Sequence, residues 1–163
     1  MHSASIPRTG QRTGTLLLLF FALFLGQAHA VDDPIVTKKV EGRFHDISRS
    51  VRSAIVGKGI NIAHVLPASR MLRNTGSAFG YRDEVYRDAE TYEFCSARIS
   101  HKLARVNPDN IVLCPFTISV YELVSEPGVV RISYRVPTGR PGTGEVVKEI
   151  VELIESIIED ATW

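Results

Sequence analysis

Two runs of alternation, at residues 116–123 and 130–136, constrain this chain more than any other feature. In the first, Phe116, Ile118 and Val120 alternate with Thr117, Ser119 and Tyr121. In the second, Val130, Ile132, Tyr134 and Val136 alternate with Arg131, Ser133 and Arg135. Successive side chains of a strand point to opposite faces, so each run has one apolar and one polar face. Ser125, Glu126, Pro127 and Gly128 between them are turn formers. The pattern predicts an antiparallel hairpin with one buried face. Its polar face carries Arg131 and Arg135, which either meet a partner or keep that face wet.

The remaining segments add helices to that hairpin. Residues 35–40 and 60–66 are rich in β-branched side chains and read as strands. Between them, Ile47, Val51, Ala54 and Ile55 form a stripe at helical spacing, which predicts a helix over residues 44–58 ended by Gly57 and Gly59. A strand, a helix and a strand in this order suit a βαβ unit. Pro67 suits the start of a short helix, with Met71 and Leu72 as its apolar contact. Residues 79–88 mix aromatic and charged side chains and read as a loop wall or an irregular edge. A strand at residues 91–97 is followed by a helix at 97–106, capped by Ser96, with Ile99, Leu103 and Val106 on its buried face. Residues 107–110 form a turn, and Pro115, lacking a donor, belongs at an edge, a bulge or a strand start. A Pro/Gly-rich connection leads to a last helix, residues 145–160, with Thr143 as its cap and Val146, Ile150, Leu153, Ile154 and Ile157 facing inward. Glu155, Glu159 and Asp160 crowd the end where the helix dipole disfavours negative charge, so packing must hold that helix. The expected fold class is α+β in two layers, with a mixed, largely antiparallel sheet and helices on one face.

The first 30 residues read differently. Arg8 and Arg12 precede an uncharged apolar run at residues 16–25, and Ala28 and Ala30 then supply small residues. This is the order of a secretory signal. The run is too short for an ordinary membrane-spanning helix. Cleavage after Ala30 would leave residues 31–163 as a single exported domain, periplasmic or secreted, with no stable membrane insertion. The formal net charge of +1 becomes −1 once the two arginines leave, with 17 basic residues against 18 acidic ones. Such a balance argues against a protein built to hold nucleic acid by counterion release.

The chemistry-bearing residues leave several readings open. Cys95 and Cys114 both lie in the exported part, where disulfides persist. They are candidates for a disulfide, for two buried thiols, or for a reactive or metal-binding pair. A disulfide requires a Cα separation of about 4.4–6.8 Å. No CxxC or CxxCH motif is present. His64, with Met71 or a cysteine, is a candidate ligand for a transition metal or a haem iron. His101 is a candidate neighbour of the cysteines, although Ile99 and Leu103 define the apolar face of its helix. Arg70, Arg73, Arg82 and Arg87, with Tyr81 nearby, are candidates for an anion clamp, against which Asp83, Glu84 and Asp88 offer ordinary surface ion pairs. No phosphate loop, dinucleotide fingerprint or nucleophile elbow is present.

Three stretches carry a family resemblance. They are residues 92–97 (YEFCSA) with the helix that follows, residues 110–122 (NIVLCPFTISVYE), and the strand at residues 129–136. In these the chain resembles the DUF302 family, with similarity spread over most of residues 35–136. The order Leu113-Cys114-Pro115 departs from the family's Leu-Pro-Cys-like pattern. The resemblance implies a small α/β domain, commonly a homodimer, and implies no activity. The leading expectation is therefore an exported accessory domain that binds a small molecule, a metal or a protein partner in a shallow cleft between the sheet and the middle segment, without turnover. Thiol-dependent redox or sulfur chemistry at Cys95 and Cys114, and non-covalent haem or copper binding, are the alternatives.

Overall fold

The alternating runs pair as their periodicity requires. In the computed structural model, which describes residues 34–163, Phe116–Leu123 (β4) and Val129–Arg135 (β5) are antiparallel neighbours, with Val120 opposite Ile132 and Ser119 opposite Ser133. The signal segment expected at residues 1–30 lies outside the described residues. The other strands are Ile35–Glu41 (β1), Ile62–Leu66 (β2) and Tyr86–Phe94 (β3). The helices are Phe44–Gly57 (α1), Ala68–Thr75 (α2), Ala97–Val106 (α3) and Gly144–Ala161 (α4). Short 3-10 turns at Gly76–Phe79 and Pro108–Leu113 follow α2 and α3. The sheet has the order β1-β5-β4-β3-β2, and all four pairings are antiparallel.

The core lies between this sheet and the layer of α1, α3 and α4. Phe94, Phe116, Ile118, Val120, Val130 and Ile132 meet Val51, Ile55, Ile99, Leu103, Ile150, Ile154 and Ile157 there. At roughly 1.5–3 kcal/mol per fully buried large apolar side chain, this layer is the main source of stability. It also holds α4 in place despite the acidic C-terminal half, since Ile150, Ile154, Ile157 and Ile158 are all buried. Among the described residues the opposite face of the sheet has no helical layer of this kind, and only α2 lies along its β3 side.

Several local expectations need correction. β1 and β2 do not pair as a βαβ unit; they form opposite edges of the sheet, and α1 crosses beneath the strands between them. The strands with buried alternation take the centre, and β1, with Lys38 and Lys39 exposed, is left at an edge, where charged side chains also discourage further pairing. β3 begins at Tyr86, not Thr91, because residues 86–90 pair with β4 through a register shift between Tyr86 and Asp88. Their charges conceal the strand in the sequence. Met71 and Leu72 are 44% and 45% exposed, so α2 does not bury them in the core. Val106 is 42% exposed, because α3 leaves the core after Leu103. Residues 107–110 do not form an isolated turn but lead into the 3-10 segment, where the Asn107 side chain accepts from the Asp109 amide at 2.8 Å. Thr143 does not cap α4 through its side chain. Its hydroxyl donates to the Arg140 carbonyl at 2.5 Å and accepts from the Asn110 side-chain amide at 3.1 Å. Ser96 does cap α3, accepting from the Ile99 amide.

Candidate functional site

The uncovered face of the sheet is built from the polar half of the alternation. Thr37 on β1, Ser133 on β5, Ser119 on β4 and Thr91 on β3 stand directly opposite one another in register, and Leu66 on β2 continues the row. Cross-strand partners share a face, so the register puts four hydroxyls in one line across four strands. They bond in pairs: Thr37 to Ser133 at 2.8 Å and Thr91 to Ser119 at 2.9 Å. Ser133 also donates to the Tyr121 hydroxyl at 3.2 Å. Beside the row, the rings of Tyr86 and Tyr121 meet edge to face with centroids 5.6 Å apart. Ala68 and Leu72 of α2 and Ile35 and Arg135 at the other side bound a trough of about 420 Å³ over Thr91, Ser119, Ser133 and the two tyrosines; Thr37 does not line it.

The charged neighbours are mostly occupied. Arg131 and Lys39 both pair with Glu126, whose carboxyl is held below the ordinary carboxylate range chiefly by its hydrogen bond from Arg131. Glu90 lines the trough, but its carboxylate accepts from Ser48 at 2.7 Å and from Tyr92 at 3.0 Å on the helical side of the sheet. Burial within that cluster raises the Tyr92 phenol above its ordinary value, a trend that the Glu90 charge reinforces. Arg135 has no carboxylate partner among the described residues.

The residues singled out from sequence are scattered. Cys95 and Cys114 are brought together: they flank the paired ends of β3 and β4 and form a disulfide with a Cα separation of 5.8 Å. No free cysteine remains among the described residues. His64 is exposed on edge strand β2, opposite Glu93, and His101 is exposed on α3. Met71, Arg73, Tyr81 and Arg82 do share a groove, of about 760 Å³, outside the trough. Arg70 is exposed on α2 and does not line it. The four arginines do not close on one anion position, since Arg73 bonds Glu84 at 2.8 Å and Arg87 faces Glu122 at 3.5 Å. Among the described residues no group of three or more His, Cys, Asp or Glu side chains is placed to hold a metal ion.

Sequence reasoning missed the hydroxyl row. Its signal lay in the polar positions of the hairpin, Thr117, Ser119, Tyr121 and Ser133, which read as a solvated face. Only the register of β1 and β3 against that hairpin turns them into a line.

The family profile described as "Domain of unknown function DUF302" matches residues 36–161. A crystal structure of an uncharacterized conserved DUF302 protein from Bacillus stearothermophilus is similar in fold, with a TM-score of 0.65 at 14% identity, covering 78% of this chain and 98% of that one. No match is found among curated proteins.

Proposed function

The chain belongs to the DUF302 family, and from that premise we propose that it is a binding domain that holds a small organic ligand, without turnover, in the trough on the uncovered face of its sheet. One observation carries this reading. Three hydroxyls of the aligned row, Thr91, Ser119 and Ser133, with an aromatic pair and the side of α2 beside them, line a concave space of about 420 Å³. Ligand sites combine apolar walls with a few convergent polar groups in this way. The test is a fragment screen on the isotope-labelled chain, read by amide chemical shifts and by mass analysis of the fragments afterwards. Binding fragments are expected to shift residues 117–121 and 133–135 and to be recovered unchanged. Shifts confined to the groove of Met71 and Tyr81 would reject this reading, and chemically altered fragments would reject the absence of turnover.

A thiol-exchange role is the second reading, supported by the half-buried position of both bridged cysteines. Under it, the disulfide should open in mild reductant and turn over a model disulfide substrate. Resistance to reductant would leave it a structural clasp. Metal or haem binding at His64 and Met71 is tested by metal analysis and an absorption spectrum of protein grown with haem. Export is proposed from the order of residues 8–30, and N-terminal sequencing of the mature protein should begin at Val31. Homodimerisation is proposed from the family resemblance.

A further inference from the structure

The trough has a direction. By the register of β4 and β5, Ser119 stands opposite Ser133 and Tyr121 opposite Arg131, so Arg135, four residues on from Arg131, lies at one end, the hydroxyl row lies next along the strands, and Tyr121 lies beyond it. Arg135 and Tyr121 are thus four residue steps apart, or about 13 Å along the strands at ~3.3 Å per residue. One end holds a guanidinium with no carboxylate partner among the described residues. The other end holds the Tyr86–Tyr121 ring pair with Leu72 beside it.

The hydrogen bonds between these ends can be followed proton by proton. A hydroxyl has one proton to give. Ser133 gives its proton to Tyr121, so in the Thr37–Ser133 pair Thr37 is the donor. Tyr121 accepts and retains its own phenolic proton. In the Thr91–Ser119 pair one hydroxyl donates and the other retains its proton. The trough therefore offers spare donors, and the one carboxylate among its lining residues, Glu90, is engaged beneath the sheet. Glu93 shares the open face but sits two strands from Arg135 and does not line the trough.

We propose that the ligand is an organic monocarboxylate, its carboxylate held at Arg135 and the neighbouring hydroxyls and its aromatic or aliphatic body laid toward Tyr86, Tyr121 and Leu72. This rests on the trough being the binding site and adds the chemical class. Charge complementarity selects it. A guanidinium fork matches a carboxylate through paired donors, and a trough whose one lining carboxylate, Glu90, is already hydrogen-bonded beneath the sheet disfavours a cation. The aromatic end gives an apolar body the burial that a bare inorganic anion lacks.

The test uses 4-phenylbutanoate and its neutral isostere 4-phenylbutanamide, titrated into the labelled chain at two protein concentrations. The carboxylate is expected to shift residues 117–121 and 133–135 and to bind at least tenfold more tightly than the amide. Arg135→Gln should remove that preference, weakening the carboxylate more than the amide, while Arg135→Lys should retain part of it. The exposed position of Arg135 makes both variants compatible with the fold, which the remaining amide shifts verify. Equal binding of the two probes, or an unaltered preference in Arg135→Gln, overturns the carboxylate assignment and leaves the trough as the site. Absence of any shift in the trough with either probe overturns both. Shifts of this face that depend on protein concentration alone would mean that a second copy covers it, which also overturns both.

Discussion

Individual buried polar groups here are tied to specific partners, and their removal has calculable consequences. Asn110, 1% exposed, donates to the Leu103 carbonyl at 3.2 Å and to Thr143 at 3.1 Å, and accepts from the Arg140 amide at 3.0 Å. It thereby fastens the 137–144 connection to the end of α3. Asn110→Ala leaves those groups without their partner and should lower unfolding free energy by about 1–3 kcal/mol, measured by urea titration. Tyr134 is buried, and its hydroxyl donates to Glu155 at 3.0 Å. Burial first, then the Glu155 hydrogen bond and charge, push its pKa up to about 12. A phenol with a raised folded pKa contributes stability that is complete below its unfolded value of about 10 and is lost as pH rises through the folded value. Stability should therefore fall between about pH 10 and 12, and Tyr134→Phe should flatten that fall in denaturant titrations at successive pH values. An unchanged slope in the variant would show that Tyr134 does not govern it.

At the scale of elements, the disulfide matters most. It closes the segment β3–α3–3-10–β4 over a sequence separation of 19 residues. Loop-closure entropy for that length gives about 3 kcal/mol of stabilisation through the unfolded chain. The double variant Cys95→Ser, Cys114→Ser should lose about that amount in unfolding free energy while keeping the β3–β4 pairing, which Phe94, Phe116, Tyr92 and Ile118 hold through the core. Amide exchange should rise first in α3 and the Pro108–Leu113 turn. Exchange rising equally in all strands would contradict a local clasp. α3 is also fastened to α4 by Lys102 and Glu149, 2.6 Å apart, an ion pair that keeps the Glu149 carboxyl below its ordinary range. The alternation of β4 and β5 was legible because a half-buried strand writes its two faces directly into the chain. β3 was only half legible, since residues 86–90 carry charges and their strand character comes from pairing to β4.

At the scale of the whole domain, the consequence of a two-layer design is one sealed face and, among the described residues, one open face. Helices α1, α3 and α4 seal the first. The second presents the hydroxyl row, and the groove along Met71, Phe79, Tyr81 and Val85 leaves further apolar surface exposed. Exposed apolar patches of this sort mark interaction surfaces. If the molecule is a homodimer through that groove, Phe79→Ser together with Tyr81→Ser should convert it to a monomer in sedimentation velocity without altering the trough's amide shifts. A wild-type chain that sediments as a monomer across the accessible concentration range would remove the dimer.

By itself the sequence determined the hairpin, the helical stripes, the α+β class and the eligibility of Cys95 and Cys114 to pair. Each of these depends on local periodicity or on residue type, which need no knowledge of distant neighbours. Tertiary structure alone decided that β1 and β2 occupy opposite edges, and that Thr37, Thr91, Ser119 and Ser133 fall into one line. Strand order and register follow from which apolar faces fit together over the shared core, and that competition involves residues nearly a hundred positions apart. A line of polar side chains drawn from four strands has no period in the chain, so it comes into being only when the sheet closes.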